Sequence, residues 1–299
     1  MSATGNIYDL GYQGYDGPRL GRVPVALGLL RHTLRSAYGI GRGGRAKIAP
    51  FGIGAMALLP AVLAVGISAL ASQAGAGDAL AEASPIRHDT YHGITSTLVM
   101  LFCAAQAPEL FGKDQRYNVL PLYFSRVLTR ADYALARYGG LFLAVFVVTV
   151  VPHVLLTLGA MLAAADPLTG LGDEIPDIPR YLAVSILTAA LLSGIAAVIA
   201  AWTPRRAYAT AAIIAVFIVP GIVVAVVHEL AVGDLAQVLL FLSAGDIAVG
   251  VNAALFDALA DSEAVLAAGY PGWVYVAAAV GAVAGSLALI LRRYQGIGG

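Results

Sequence analysis

Long apolar stretches alternate with short polar segments along most of this chain of 299 residues. A helix needs about 20 apolar residues to cross a hydrocarbon core about 30 Å thick. Six stretches are long enough, and each is bounded by charged or turn-forming residues. They lie at residues 49–72, 91–110, 138–165, 180–202, 207–230 and 272–291. The pattern therefore predicts an all-α, polytopic membrane protein with six transmembrane helices.

A seventh apolar stretch, at residues 235–256, has Asp246 near its centre. An aspartate at the middle of a bilayer costs about 2.5–3.5 kcal/mol on insertion scales. A full crossing would also move Arg292 and Arg293 away from the side that holds most other basic residues. We therefore expect residues 235–260 to form a re-entrant segment that dips in from the outer face, or helices that lie on that face.

The composition agrees with a lipid environment. Hydrophobic residues make up 59% of the chain and charged residues 12%, about half the soluble average of roughly 25%. The mean hydropathy is +0.81, and a soluble domain of this size could not bury so much apolar surface. The formal net charge is zero, so nothing in it indicates a nucleic-acid partner.

Basic residues are concentrated in four segments that the six-span topology places on one side of the membrane. These segments are the N-terminal leader, the second and fourth connections, and the C-terminal tail, and they hold sixteen of the eighteen basic residues. Lysine and arginine accumulate in cytoplasmic loops. We expect a multi-pass protein of the cell membrane with both termini on the cytoplasmic side.

Residues 1–48 are predicted to form a cytoplasmic leader and an amphipathic helix, and residues 49–299 a single transmembrane domain. Residues 23–38 place apolar side chains at helical spacing on one face. This face consists of Val23, Leu27, Leu30, Leu34 and Tyr38. The pattern favours a helix in the inner membrane interface; the alternative is a soluble helix packed on other cytoplasmic loops.

The connection at residues 111–137 contains an unexpected apolar segment. A charged run is followed by a short apolar helix at 119–124 and then by a basic turn. An exposed apolar patch usually marks a partner site, and a short helix suits docking in a groove. The alternative is that Val119, Leu122 and Tyr123 lie on the membrane.

The segment APELFGKDQRYNVLPLYFSRVLTRADYALAR resembles the intracellular loop of permease subunits of ATP-binding cassette (ABC) transporters, in the type-2 exporter class. The leader YDLGYQGYDGPRLGR resembles that of bacterial members. In that family a charged segment leads into a short coupling helix, a Ser-Arg turn and the third span. Val127 stands where many members have proline, and Arg137 where lysine is frequent.

The resemblance implies a dimer of permeases, expected to be a homodimer, with a cytosolic ATPase subunit bound under each half. It implies docking and force transmission, rather than chemistry, for a set of residues in and near the second connection. These residues are Glu109, Lys113, Asp114, Arg116, Tyr117, Leu120, Leu122, Tyr123, Phe124, Ser125, Arg126 and Arg130.

The sequence has no G-x-x-x-x-G-K-[ST] motif. Its glycine cluster at residues 39–44 follows a predicted helix rather than a strand and has no Lys-Ser/Thr after it, so it is not a phosphate-binding loop. We expect these glycines to form a hinge. We expect a transport subunit that is not an enzyme and binds no cofactor, with ATP and Mg²⁺ bound by the partner ATPase.

Polar residues inside predicted spans are candidates for function. Gln106 and His153 are candidates for a substrate path, and the alternative is helix–helix hydrogen bonding. His88 and His92 have i, i+4 spacing but no firm third ligand, which makes them weak candidates for a metal site. The other functional hypotheses are a polytopic secondary transporter without an ATPase partner and a membrane-embedded enzyme, for which no convincing catalytic set is present.

Overall fold

The computed structural model describes residues 17, 21–74, 85–125, 127–164, 166–230 and 233–296. Helices dominate these ranges, and no strand occurs in them. The helices are α1 Arg22–Ala37, α2 Arg45–Gln73, α3 His88–Arg116, α4 Leu120–Phe124, α5 Arg130–Ala163, α6 Pro167–Glu174, α7 Asp177–Trp202, α8 Arg206–Glu229, α9 Gly233–Leu239, α10 Ala244–Phe256, α11 Glu263–Ala268 and α12 Gly272–Gln295. A 3₁₀ turn, Leu240–Leu242, follows α9.

Six of these helices are long and apolar enough to cross a membrane: α2, α3, α5, α7, α8 and α12. They coincide with the six predicted stretches, so the structure confirms an all-α, multi-pass membrane protein. Two helices, α3 and α5, extend furthest beyond the predicted boundaries. Because α3 continues to Arg116 and α5 begins at Arg130, the non-spanning part of the second connection is only residues 117–129.

The bundle has two chemically different ends. The end called here the basic end carries α1, the 117–129 connection, Arg205, Arg206, Arg292 and Arg293. At the opposite, acidic end lie α6 and the connections on either side of α11. The charge asymmetry predicted from the sequence therefore corresponds to two separate surfaces of one bundle.

Helix α7 lies at the centre of the bundle, in contact with α3, α5, α10 and α12. Its small side chains allow this close packing, as is usual in membrane proteins. Ala196, Ala197, Ala200 and Ala201 are completely buried. Helices α2 and α8, in contrast, keep most of their apolar surface exposed, so their outer faces are available to lipid or to another chain.

Helix α1 packs along the first half of α5. Thr33 is completely buried and lies against Gly140, where an added Cβ would come within 2.5 Å of the Thr33 Cβ. Val23 and Leu27 remain exposed. The predicted apolar face is thus divided: its later residues face the bundle, and its first two face outward at the basic end.

The seventh apolar stretch forms a sharply bent pair of helices. The segment 235–242 and α10 meet at an angle of 96°. The bend at Ser243 lies beside Gly221, whose added Cβ would be 3.5 Å from the Ser243 Oγ. Helix α10 packs inside the bundle against α3, α7 and α12. This burial favours the re-entrant alternative over helices that lie on the surface.

Helix α10 returns to the acidic end, where Asn252 donates a 2.5 Å hydrogen bond from Nδ2 to the carbonyl oxygen of Asp89 at the start of α3. Asp246 accepts a 3.0 Å hydrogen bond from the Ser262 hydroxyl. The carboxylate that argued against a full crossing therefore has a polar partner, in the loop between α10 and α11.

Gly250→Ala is expected to loosen the contact between α10 and α12. A Cβ at Gly250 would lie 2.3 Å from the ring of Tyr275, and Tyr275 is buried. Overpacking of this kind typically costs about 1–3 kcal/mol. The melting temperature of the variant in neutral detergent measures this loss of stability. Gly285→Ala on α12 is the matched control, because a Cβ there meets nothing within 4 Å; equal melting temperatures for the two variants would contradict the packing argument.

Candidate functional site

The 117–129 connection joins two spans through a tight turn and the short helix α4. Asn118 adopts a left-handed conformation with φ of 52°, and the Val119 N–H donates a 3.1 Å hydrogen bond to the carbonyl oxygen of Asp114. Pro121 stands in the first turn of α4, where a missing N–H is tolerated. These local features stop α3 and start a new helix within four residues.

Helix α4 has one face toward the bundle and one toward its surroundings. Leu120 is buried, whereas Leu122 is 68% exposed. Tyr117, just before the helix, is also exposed. An exposed leucine on a short helix that is packed on its other side is the kind of apolar side chain that a helix inserts into a partner's groove.

Aromatic rings anchor α4 to the spans. The buried ring of Tyr133 on α5 lies 5.3 Å from the ring of Tyr123 and 5.9 Å from that of Phe124. On its other side it lies 5.2 Å from the ring of Tyr294 on α12. Such ring pairs contribute about 0.5–1.5 kcal/mol each beyond the area they bury. The cluster therefore connects α4 directly to two spans.

A buried ion pair is in direct contact with this ring cluster. Asp114 on α3 pairs with Arg137 on α5, and both side chains are buried. The Tyr133 hydroxyl donates a 2.7 Å hydrogen bond to the same carboxylate. The Arg137 guanidinium lies 5.3 Å from the centre of the Tyr133 ring, and it donates a 3.4 Å hydrogen bond to Thr33 of α1. One network thus holds α1, α3 and α5 together.

The start of α5 is fixed by a capping box. The Thr129 side chain accepts a hydrogen bond from the Asp132 N–H, and the Asp132 carboxylate accepts one from the Thr129 N–H. Arg22 of α1 donates to both Asp132 oxygens at 2.6 and 2.8 Å. These bonds and the attraction of Asp132 raise the pKa of Arg22 above its ordinary value. The turn between α4 and α5 is therefore also attached to α1.

Other predicted docking residues divide into paired and exposed groups. Glu109 pairs with Arg42, and with Arg206 at 3.4 Å. Arg130 donates a 2.9 Å hydrogen bond to the carbonyl oxygen of Gln295 and lies over the Phe124 ring. Lys113, Arg116 and Ser125 are exposed, and Arg126 lies outside the described residues.

The exposed members of the predicted set therefore form the outer surface of this region, and the inward-facing members hold it to the bundle. Asp114 and Leu120 are too buried to touch a partner directly. They contact the rings and the ion pair behind α4 instead, so a displacement of α4 would be felt by these groups in a closely packed interior.

At the acidic end the structure brings together histidines that are far apart in sequence. His88 Nδ1 lies 2.9 Å from His153 Nδ1, and His88 Nε2 lies 2.9 Å from Glu174 Oε2. The Tyr181 ring stacks on both imidazoles, with centroid distances of 5.1 and 5.2 Å. The cluster joins α3, α5 and α6 through one hydrogen-bonded chain and α7 through ring stacking.

This arrangement differs from the histidine pair that the spacing suggests. His88 faces His153 rather than His92, and the buried Nε2 of His92 lacks a hydrogen-bond partner among the described residues. In the same ranges no group of three or more His, Cys, Asp or Glu residues could hold a metal ion. Sequence reasoning missed Glu174 and Tyr181, because nothing local to either residue indicates the contact.

The two substrate-path candidates lie in different parts of the bundle. Gln106 is eighteen positions after His88 on α3, which corresponds to about 27 Å along the helix axis. His153 contacts His88, so it lies at the acidic end, whereas Gln106 is near the basic end. Both side chains are buried, and they do not form one site.

A comparison with protein-family models gives no match for this chain, and a comparison with curated proteins gives none either.

Proposed function

We propose that this chain is the transmembrane permease subunit of an ABC exporter, which forms the substrate pathway and couples to a separate cytosolic ATPase. The observation that carries the proposal is α4, a short helix between the second and third spans with Leu122 exposed on one side. On its other side, Tyr123 and Phe124 pack on Tyr133 of the third span.

The contacts behind α4 are what a coupling element requires. A force applied at Leu122 reaches α5 and α12 through the rings and α3 through the Asp114–Arg137 pair. Rigid packing transmits such a displacement rather than absorbing it.

The proposed orientation places the basic end and both termini in the cytoplasm, in the cell membrane. Sixteen of the eighteen basic residues then face the side on which lysine and arginine accumulate. A second permease copy would pack against the exposed outer faces of the spans, of which α2 and α8 bury the least within one chain. ATP and Mg²⁺ would be bound by the partner ATPase, and the direction of transport is export.

The full-length chain, extracted in mild neutral detergent, is expected to co-purify with an ATPase subunit. Vanadate-sensitive ATP turnover should require both chains, because only the partner would supply the phosphate-binding loop. Isolation without a nucleotide-hydrolysing subunit, together with full transport activity in ATP-free vesicles, would overturn the proposal.

The second candidate function is a secondary transporter, and the His88–His153–Glu174 cluster is the observation that favours it. Ionisable groups in a membrane protein often form ion or proton pathways. The cluster occupies the acidic end, about 27 Å along α3 from Gln106. Transport driven by a proton gradient without ATP would favour this candidate over the first.

A further inference from the structure

A basic cavity lies at the basic end between α1, the turn that follows it, and the last turns of α3. Its volume is about 500 Å³, which is within the usual range for ligand pockets. Five cationic side chains and two carboxylates line it, so its net charge is +3 with His32 neutral. The cationic side chains are those of Arg31, Arg35, Arg42, Lys113 and Arg137.

Both carboxylates of the cavity already have cationic partners. Glu109 pairs with Arg42 and Arg206, and Asp114 pairs with Arg137. Within the described residues, the other three cations, Arg31, Arg35 and Lys113, form no ion pair. The excess positive charge is therefore concentrated on side chains that remain available.

Two donors in the wall of the cavity also lack acceptors. The buried Nε atoms of Arg42 and Arg137 have no hydrogen-bond partner in the part of the chain that the structure describes, and Arg137 as a whole is only 4% exposed. A buried donor without an acceptor is unfavourable. Both atoms are shielded from the cavity, so these two residues add positive charge to its wall rather than open donors at Nε.

We propose that this basic cavity binds an anionic phosphate group. Guanidinium groups match the oxygens of phosphate with paired hydrogen bonds, and a lysine adds a compact positive charge. Arg31 and Arg35 are one helical turn apart on the same face of α1, and Lys113 faces them from α3. Together they surround a phosphate from two helices, and the ligand in turn fastens α1 to α3.

Two sources could supply this phosphate: the headgroup of an anionic phospholipid, or free inorganic phosphate. An apolar groove of about 680 Å³ adjoins the basic cavity and shares Gly28, His32 and Tyr123 with it. A lipid would place its hydrocarbon chain along this groove, whereas free phosphate would use the basic part alone.

The pKa of His32 reports directly on phosphate binding, because His32 lines both the basic cavity and the apolar groove. Partial burial lowers the pKa of His32, and the nearby Arg137, Lys113 and Arg35 lower it further, although Asp114 raises it. An anion bound beside His32 would raise that pKa. The experiment follows the His32 imidazole by NMR in the delipidated full-length chain while dioctanoyl phosphatidylglycerol, inorganic phosphate or dioctanoylglycerol is added.

Dioctanoyl phosphatidylglycerol is expected to raise the pKa of His32 in a saturable manner. The R31Q/R35Q variant should bind it at least about tenfold more weakly, since it loses two charge-assisted contacts. R45Q/R292Q is the matched control, because it removes two exposed cations from the same end outside the cavity, and it should bind like the unchanged chain.

The two phosphate probes distinguish the sources. A response to phosphatidylglycerol alone supports a lipid headgroup, and an equal response to inorganic phosphate supports a free anion. The proposal is overturned if neither probe changes the His32 pKa, if dioctanoylglycerol acts as strongly as the phospholipid, or if R45Q/R292Q weakens binding as much as R31Q/R35Q. Because no ATPase is present, the result is independent of the proposed transport function.

Discussion

Leu122→Asp is expected to release the cytosolic ATPase from this chain while leaving the chain folded and inserted. Leu122 is 68% exposed in the isolated chain, so the change removes little contact within it. In the complex, the aspartate would be buried in an apolar docking pocket without a partner, which is strongly unfavourable. Loss of a central anchor typically costs about 2–4 kcal/mol, equivalent to roughly 30- to 1,000-fold in Kd.

Co-purification of tagged permease and ATPase measures this effect, with vanadate-sensitive turnover as a second readout. Leu259→Asp is the matched control, because Leu259 is 84% exposed at the acidic end and undergoes the same chemical change. It should retain the ATPase. Full retention by Leu122→Asp, or equal loss by Leu259→Asp, would reject α4 as the docking element.

Asp114→Ala is expected to destabilise the isolated chain by about 3–5 kcal/mol, because it leaves Arg137 buried without a countercharge. It also removes the acceptor of the Tyr133 hydroxyl. The loss should change little with added salt, since buried charges are screened much less than exposed ones. Unfolding in neutral detergent, followed by heating or by denaturant titration, measures it without any partner protein.

Two further variants separate the buried pair from a general effect of charge removal. Asp114→Ala combined with Arg137→Met should be more stable than Asp114→Ala alone, because no unpaired charge remains. Asp177→Ala breaks the exposed pair with Arg180, and exposed pairs typically contribute less than about 1 kcal/mol. A combined variant no more stable than the single one would show that the ion pair is not what stabilises this region.

Hydrophobic patterning predicted the spans well because it depends on local sequence. A lipid-facing or buried helix needs an unbroken apolar run whatever its neighbours are, and all six runs became helices. The ends of α3 and α5 were harder to predict. Lys113, Asp114 and Arg116 look like loop residues in a linear pattern, yet α3 includes them, because Asp114 finds its partner on another helix.

In the functional clusters too, local sequence predicted some features, whereas others depend on contacts between distant residues. The sequence identified 119–124 as an unexpected apolar segment, but it did not show which residues of that segment face outward. That depends on Tyr133 and Tyr294, which come from two different spans and cover the inner side of α4. The contact of His88 with Glu174, 86 positions away, likewise has no local signal.

By itself, the sequence determined that this is a membrane protein, that it has six spanning helices, and that one end of the bundle is basic. These properties follow from transfer free energies of side chains, which act residue by residue. Only the tertiary structure decided that α10 returns inside the bundle, that Asp114 pairs with Arg137, and that Leu122 is exposed. These features depend on which helices meet, and helix contacts are chosen by the packing of side chains from distant parts of the chain.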